Sequence, residues 1–285
     1  IRPMTAVVSP ISERIERWFA DRGWQPAPFQ RAAWQAWAAG ESGLIHSATG
    51  SGKTLAALLG CLLQAAPADP ASPGPPSRLR LLWITPLRAL ARDSERQIRD
   101  TLAGLDVPWT VERRTGDVTA SVRARQRRRL PEVLVTTPES LSLLLSDAAS
   151  ARRLTGLDGI VVDEWHELMA SRRGVMLQLC LARLRRATPG LRTWGLSATI
   201  GNLAQALEVL LGRPDTGRLI RGSLDRDIRI RSLVPDDIGR FPWSGHLGLR
   251  LAEAVADRLL EPGSALVFTN TRHQAEAWFE ALQRA

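Results

Sequence analysis

Lysine is almost absent from this chain of 285 residues, because only Lys53 among its 38 basic side chains is a lysine. Tyrosine is missing altogether, and the only cysteines are Cys61 and Cys180. Both lie in apolar helical patterns without metal-ligand spacing, which excludes a disulfide scaffold and is typical of reduced thiols in a cytoplasmic protein. No run approaches 18 apolar residues, so we expect neither a membrane-spanning helix nor a membrane partner.

The single lysine lies in the segment Ser-Ala-Thr-Gly-Ser-Gly-Lys-Thr, residues 47–54. The chain uses arginine wherever a spread-out cation suffices, so Lys53 indicates a site that needs a compact point charge. The apolar Gly43–Ile45 precedes the segment and a helical pattern follows it, as in loops whose backbone N–H groups bind phosphate. The predicted nucleotide-binding residues are Thr49, Gly50, Ser51, Gly52, Lys53 and Thr54.

Within this loop, Thr54 is the predicted Mg²⁺ ligand, and its hydroxyl suits that role. Ser47 departs from the general motif, which has a glycine at that position. The alternative interpretation is a glycine-rich turn before a helix with no ligand.

Two adjacent acids follow a second apolar run, Gly159–Val162. An uninterrupted run of this kind is typical of a strand buried on both faces of a parallel sheet. Asp163 and Glu164 would then emerge at its carboxyl end, where open α/β sheets bind ligands. We predict that Asp163 holds Mg²⁺ and that Glu164 orients and deprotonates the attacking water. Alternatively, the acids only cap the next helix.

Further motifs occur in a known order along the chain. They are Phe29-Gln30, Thr85–Leu90, Thr136–Ser140, Asp163–Leu168, Leu196–Ile200 and Leu266–Arg272. With the phosphate loop, they make residues from about Trp24 onward resemble a superfamily 2 DExH-box helicase. Asp-Glu-Trp-His-Glu-Leu and Ser-Ala-Thr-Ile-Gly-Asn are most similar to the large helicase-related (Lhr) type, especially bacterial helicases associated with a DNA ligase.

This resemblance also implies roles for residues other than the phosphate loop and the two acids. Gln30 would read the adenine edge, and Ser197 and Thr199 would couple the nucleotide site to the DNA site. His166 would join the catalytic relay opposite them, although a structural histidine is the alternative. The implied nucleic-acid contacts are Thr85, Arg88, Thr115, Gly116, Thr137, Asn270 and Thr271. Each of these could also be an ordinary turn or cap residue.

Alternating strand and helix patterns predict an α/β fold with a doubly wound parallel sheet, and the resemblance implies that this sheet is RecA-like. The strand candidates are Gly43–Ile45, Arg80–Ile84, Trp109–Arg113, Val133–Thr136, Ile160–Val162 and Arg192–Leu196. We assign residues 1–235 to this first domain. Residues 236–285 are expected to hold a linker and the beginning of a truncated second RecA-like domain, with helices at Leu247–Leu260 and Arg272–Arg284 and a strand at Ser264–Thr269.

The formal charge of +9 favours a polyanionic partner. Seven arginines lie between residues 113 and 129, either as a solvated helix face or near the entry of DNA. Most of the ten tryptophans, including Trp83 and Trp194 in apolar strands, are expected in the core, while Trp24 could pack near adenine.

Together with these patterns, the resemblance implies an ATP- and Mg²⁺-dependent DNA helicase or translocase on single-stranded DNA. By resemblance, it would move 3′ to 5′, act in DNA repair and have a functional link to a DNA ligase. The alternatives are an RNA helicase, including one that acts on a hybrid duplex, and a nucleotide-gated binding module without turnover.

Overall fold

The fold is built on one seven-stranded parallel sheet. The computed structural model describes residues 10–65, 78–213, 217–222, 229–233, 248–261 and 264–285. The strands are β1 (Gly43–His46), β2 (Leu81–Ile84), β3 (Val111–Arg114), β4 (Val133–Thr136), β5 (Gly159–Val162), β6 (Arg192–Ser197) and β7 (Arg218–Arg221). Their order across the sheet is β3-β4-β2-β5-β6-β1-β7, and every pairing is parallel. The predicted doubly wound α/β class is confirmed.

Helices connect these strands. In chain order they are α1 (Pro10–Ala20), α2 (Pro28–Ala38), α3 (Lys53–Ala65), α4 (Arg88–Gly104), α5 (Ala120–Arg128), α6 (Pro138–Ser146), α7 (Ala148–Arg153), α8 (Trp165–Met169), α9 (Arg172–Ala187), α10 (Leu203–Leu211), α11 (Ala252–Leu260) and α12 (Arg272–Arg284). Among the described residues, no helix is both long and apolar enough to cross a lipid bilayer.

Helices cover both faces of the sheet because alternate strand residues point to opposite sides. Leu81 and Trp83 of β2 join one apolar cluster with α2, α3 and α4. Leu82 and Ile84 join the other, with α6, α8, α9 and α10. The sheet is therefore buried on both faces, and its ligands must approach at its edge.

Some predicted element bounds are wrong. Strand β3 lies at Val111–Arg114 rather than Trp109–Arg113. Sequence analysis missed β7, in which arginines flank an apolar pair and only Ile220 is buried. No strand forms across the described residues 264–270, so the strand predicted at Ser264–Thr269 is also wrong.

The chain separates into two compact units, residues 1–224 and 225–285. Within the second unit, α11 is preceded by a 3-10 turn at Leu249–Leu251, and α12 agrees with the prediction. The predicted linker, residues 234–245, lies outside the described residues. The boundary at residue 235 and the RecA-like character of the second unit remain predictions.

Candidate active site

The phosphate-loop candidate connects β1 to α3. Gly50 and Gly52 have φ angles of +76° and +89°, a left-handed conformation that side chains other than glycine adopt at a cost. A Cβ atom on Gly52 would also lie 2.5 Å from Nε2 of Gln30. Two glycines are therefore needed for this loop to turn immediately before the N-terminus of α3, where helix N–H groups without intrahelical partners lie.

Lys53 reaches back along this loop from the first turn of α3. Its side chain is buried, and Nζ donates to the carbonyl oxygens of Ser47 at 2.7 Å and Ala48 at 3.0 Å. One nitrogen thus serves two acceptors on adjacent residues. An arginine would place a larger, planar guanidinium here instead of this compact ammonium.

Gln30 of α2 braces the phosphate loop. Its Oε1 accepts a hydrogen bond from the Ala27 N–H at 2.8 Å, and its Nε2 donates to the Gly52 carbonyl at 3.1 Å. The residue is only 4% exposed. Each end of the amide keeps one further hydrogen-bonding position, so the predicted contact with adenine stays chemically available. The brace itself was not predicted, because no local pattern places α2 against the loop.

Asp163 extends β5, since its N–H donates to the Ile84 carbonyl at 2.8 Å. Both carboxylate oxygens accept hydrogen bonds. Oδ1 accepts from the Glu164 N–H at 3.0 Å, and Oδ2 accepts from the Trp83 indole Nε1 at 3.3 Å. Sequence analysis placed Trp83 in the core, and nothing in the strand pattern showed that its indole nitrogen points at this carboxylate.

Glu164 has a left-handed backbone, with φ 46° and ψ 48°. Such a conformation in a residue with a side chain costs about 1–3 kcal/mol and is found often at functional sites, although Asp106, in the turn after α4, also has a positive φ. Glu164 occupies the cap position of α8, but its side chain makes no capping hydrogen bond. Helix capping therefore does not explain this glutamate.

The pKa of Asp163 is raised to about 6, mainly because burial removes hydration from its carboxylate and also because Glu164 is negatively charged. Hydrogen bonds from the Glu164 N–H and Trp83, together with the charge of Lys53, offset part of this rise. A cation bound at this position would favour the ionised form.

A polar contact joins α8 to the end of β6. The His166 Nδ1 lies 3.0 Å from the Ser197 hydroxyl oxygen and 3.4 Å from Oε2 of Glu164. Ser197 is fully buried, whereas Thr199 is exposed in the following loop. The structure therefore brings His166, Ser197 and Glu164 together, while their part in coupling remains a prediction.

A cavity of about 990 Å³ opens over the phosphate loop and the two acids. Its walls include the loop from Thr49 to Thr54, together with Gln30, Asp163 and Glu164. Trp24 also lines it, is 53% exposed and meets the Trp18 ring edge to face at 5.9 Å. Across the described part of the chain, no three His, Cys, Asp or Glu side chains gather into a metal cage. Mg²⁺ bound with phosphates needs only one or two protein carboxylates.

The predicted nucleic-acid residues of the first unit follow β2, β3 and β4 at the same sheet edge. Three of them, Thr85, Thr115 and Thr137, are buried. The Thr85 hydroxyl donates to the Leu87 carbonyl at 3.2 Å, and the Thr115 hydroxyl bonds Asp117. These hydroxyls shape the loops from inside, which agrees with the alternative that they are turn residues.

Arg88 and Gly116 are exposed beside these threonines. A Cβ atom on Gly116 would lie 2.9 Å from Nη2 of Arg88, so the guanidinium packs against this glycine. Asn270 and Thr271 belong to the second unit, where the Thr271 hydroxyl caps α12 by accepting from the Gln274 N–H at 3.2 Å. Arg88 is thus the exposed cation among the predicted contacts of the first unit.

Some side chains of the arginine-rich segment form ion pairs with nearby acids. Arg113 pairs with Asp117 at 3.3 Å, and Arg125 pairs with Glu112 at 2.9 Å. Arg127 and Arg128 are exposed at the end of α5, near the start of β4. Thr137 follows the other end of that strand, about 13 Å away. The prediction of a place near the DNA entry therefore gains no support for Arg127 and Arg128, whereas Arg123 donates to the carbonyl of Gly116, a predicted nucleic-acid contact, at 2.8 Å.

Comparison with known proteins gives consistent matches. The family model of the DEAD/DEAH box helicases matches residues 27–206. The chain is 32% identical over 276 residues to an ATP-dependent helicase Lhr-Core of Methanocaldococcus jannaschii, covering 93% of this chain and 32% of that protein. It is 36% identical over 278 residues to a Lhr helicase/probable uracil glycosylase of Mycolicibacterium smegmatis, covering 93% of this chain and 18% of that protein.

A solved structure of Mycobacterium smegmatis helicase Lhr bound to ssDNA and AMP-PNP is similar, with a TM-score of 0.77 and 31% identity. The match covers 97% of this chain and 36% of that chain. The present chain thus spans about a third or less of the length of these relatives. Because the family model matches more than half of its residues, the chain belongs to the DEAD/DEAH box helicases.

Proposed function

We propose that this chain forms the nucleotide-binding part of an ATP-dependent DNA helicase motor that acts on single-stranded DNA. One observation carries the proposal: the glycine loop, Lys53, Asp163 and Glu164 all line one cavity at the carboxyl edge of the parallel sheet. The similarity to an Lhr helicase whose structure was solved with ssDNA and AMP-PNP supports DNA as the partner.

The residues present fit a nucleoside triphosphate with Mg²⁺. A Cβ atom at residue 52 would lie 2.5 Å from Nε2 of Gln30, so glycine there lets the loop pack against Gln30 while the loop lines the open cavity. The N–H groups of the loop and of α3 suit phosphate oxygens, and Lys53 adds a compact charge. Thr54 and Asp163 would hold Mg²⁺, which neutralises charge on the transferring phosphoryl group when it is bound.

The protein's own groups would then divide the chemistry between them. Glu164 would accept a proton from the attacking water and orient it, and its left-handed backbone directs it away from a capping role. Ser197 and Thr199 would couple the nucleotide site to the DNA site, and His166 would be part of that relay. Arg88 would contact a DNA phosphate, since it is the exposed cation of the first unit's predicted contacts.

Finer features of the proposal depend on the similarity of the motifs. They are movement from 3′ to 5′, a role in DNA repair together with a DNA ligase, and action in the cytoplasm. In the same way, we assign residues 236–285 to the beginning of a second RecA-like domain. The facing domain of such a motor supplies an arginine that accelerates phosphoryl transfer by about 10³- to 10⁵-fold in related enzymes.

The test measures binding of a fluorescent ATP analogue to the 285-residue chain, with Mg²⁺ and with chelator. We expect Mg²⁺-dependent binding that Lys53→Ala weakens about 10- to 100-fold and that Lys53→Arg does not restore. Two of the three Nζ donors are used by Ser47 and Ala48, so the variant loses one charge-assisted hydrogen bond to a phosphate, worth about 1.5–3 kcal/mol. Unchanged affinity in Lys53→Ala would contradict the phosphate-loop assignment.

The same preparation tests the polymer. Matched single-stranded DNA and RNA oligonucleotides should bind with different affinities, with DNA favoured. Arg88→Ala should weaken DNA binding and reduce its dependence on salt, because it removes a phosphate contact. Preference for the RNA oligonucleotide would favour the RNA helicase alternative, since 2′-hydroxyl contacts separate the two polymers.

A further inference from the structure

We propose that Trp83 is a positioning residue for the metal-binding carboxylate of Asp163, an inference that rests on the proposed function. Trp83 lies on β2, beside β5 in the sheet, and its side chain is fully buried. Its indole Nε1 donates to Oδ2 of Asp163 at 3.3 Å. The second oxygen, Oδ1, is held at 3.0 Å by the Glu164 N–H.

With one donor on each oxygen, these hydrogen bonds restrain the rotation of the carboxylate. Carboxylates that bind metals are commonly held by hydrogen bonds of this kind, and removing the partner typically lowers metal affinity 10- to 100-fold. An indole N–H suits this position because it can only donate and has no lone pair with which to bind the cation itself. The carboxylate keeps its remaining lone pairs for Mg²⁺.

The two donors come from different parts of the chain, and this difference shows what Trp83 adds. The Glu164 N–H comes from the adjacent residue, so it turns with the chain that carries Asp163. Trp83 belongs to β2, which pairs with β5 in a register that places Trp83 opposite Val161. The sheet therefore holds the indole in place independently of the acidic segment. The carboxylate thus has one hydrogen-bond donor whose position does not depend on its own segment.

A purely structural role for a buried indole is the competing explanation, and the chain offers a matched control for it. Trp194 of β6 is also fully buried, and its Nε1 donates to the Glu41 carbonyl at 3.1 Å. Trp83→Phe and Trp194→Phe remove the same atoms from two neighbouring regions of the same sheet. Only the first change takes a donor from Asp163.

The experiment titrates Mg²⁺ in the presence of the fluorescent ATP analogue, for wild type and both variants. Trp83→Phe should raise the Mg²⁺ concentration for half-maximal binding about 10-fold or more. Binding of the analogue in chelator should stay unchanged, and Trp194→Phe should keep the wild-type Mg²⁺ requirement. Equal Mg²⁺ requirements in the two variants would overturn the inference.

A second measurement does not depend on the folding of Trp83→Phe. In ¹⁵N-labelled wild type, adding Mg²⁺ to the nucleotide complex should shift one indole N–H resonance. Asp163→Asn should shift the same resonance, because it replaces the acceptor of that N–H. If no indole resonance responds to both changes, the contact does not serve the metal.

These outcomes separate the inference from the proposed function. Wild type that binds the analogue without any Mg²⁺ dependence would contradict the proposed function and the inference together. Normal Mg²⁺-dependent binding in wild type, with an unchanged requirement in Trp83→Phe, would contradict the role of Trp83 alone.

Discussion

Gln30→Glu should separate two functions that the structure gives to one amide. In the wild type, Oε1 of Gln30 accepts from the Ala27 N–H at 2.8 Å, and the variant keeps an oxygen at this position. The Nε2 atom, which donates to the Gly52 carbonyl at 3.1 Å in the wild type, is replaced by a second oxygen that faces this carbonyl. Gln30 is 4% exposed, so water cannot readily take the place of the lost donor.

The expected cost follows from this geometry. Leaving a buried acceptor without its donor costs about 1–3 kcal/mol, and a charged group costs more. At about 2–4 °C per kcal/mol for a unit of this size, the melting temperature should fall by about 4–8 °C for a loss of 2 kcal/mol. An amide that pairs with adenine through its free donor and acceptor discriminates by about 1–3 kcal/mol. Preference for ATP over GTP should therefore fall about 10- to 100-fold.

The assay combines thermal melting with competition by ATP and GTP against the fluorescent analogue. Gln25→Glu is the matched control, because Gln25 lines the same cavity but is exposed. It should change neither quantity. A Gln30→Glu variant that melts like wild type would refute the brace, and one that keeps the wild-type ATP preference would refute the adenine contact.

Other changes test the remaining parts of the site. Glu164→Gln should keep Mg²⁺-dependent binding of the analogue, whereas Asp163→Ala should lose it; equal losses would contradict their division of roles. Gly174→Ala should destabilise the protein by about 1–3 kcal/mol in chemical unfolding, because its Cβ would lie 2.1 Å from the Leu168 carbonyl oxygen. Gly201→Ala, with nothing within 4 Å, is its control. Affinity for single-stranded DNA should fall as salt rises from about 50 to 200 mM, because each phosphate contact releases bound counterions; a flat response would contradict an electrostatic interface.

The main secondary structure was predictable because its signals are local. Strand β4 was predicted with the bounds that the structure shows, since four apolar or β-branched residues lie between turn-forming segments. Strand β7 was missed because two of its four residues are arginines. The strand predicted at Ser264–Thr269 has the right composition, but composition alone does not form a strand. A strand also needs a neighbour that takes up its hydrogen bonds.

The candidate site shows the same division. Lys53 and the acids could be proposed from the sequence, because a phosphate loop and an acidic pair after an apolar run have fixed local spacing. Trp83 was assigned to the core, correctly for its burial, but its contact with Asp163 joins residues 80 positions apart. No local pattern carries that information.

By itself, the sequence determined which residues could do the chemistry and which segments could form strands and helices. These properties depend on residue type and on short periodic spacing along the chain. Only the tertiary structure decided that Gln30 braces the loop, that Glu164 takes a left-handed backbone and that Trp83 holds Asp163. These depend on strand order and helix packing, which bring distant residues together through the burial of both sheet faces.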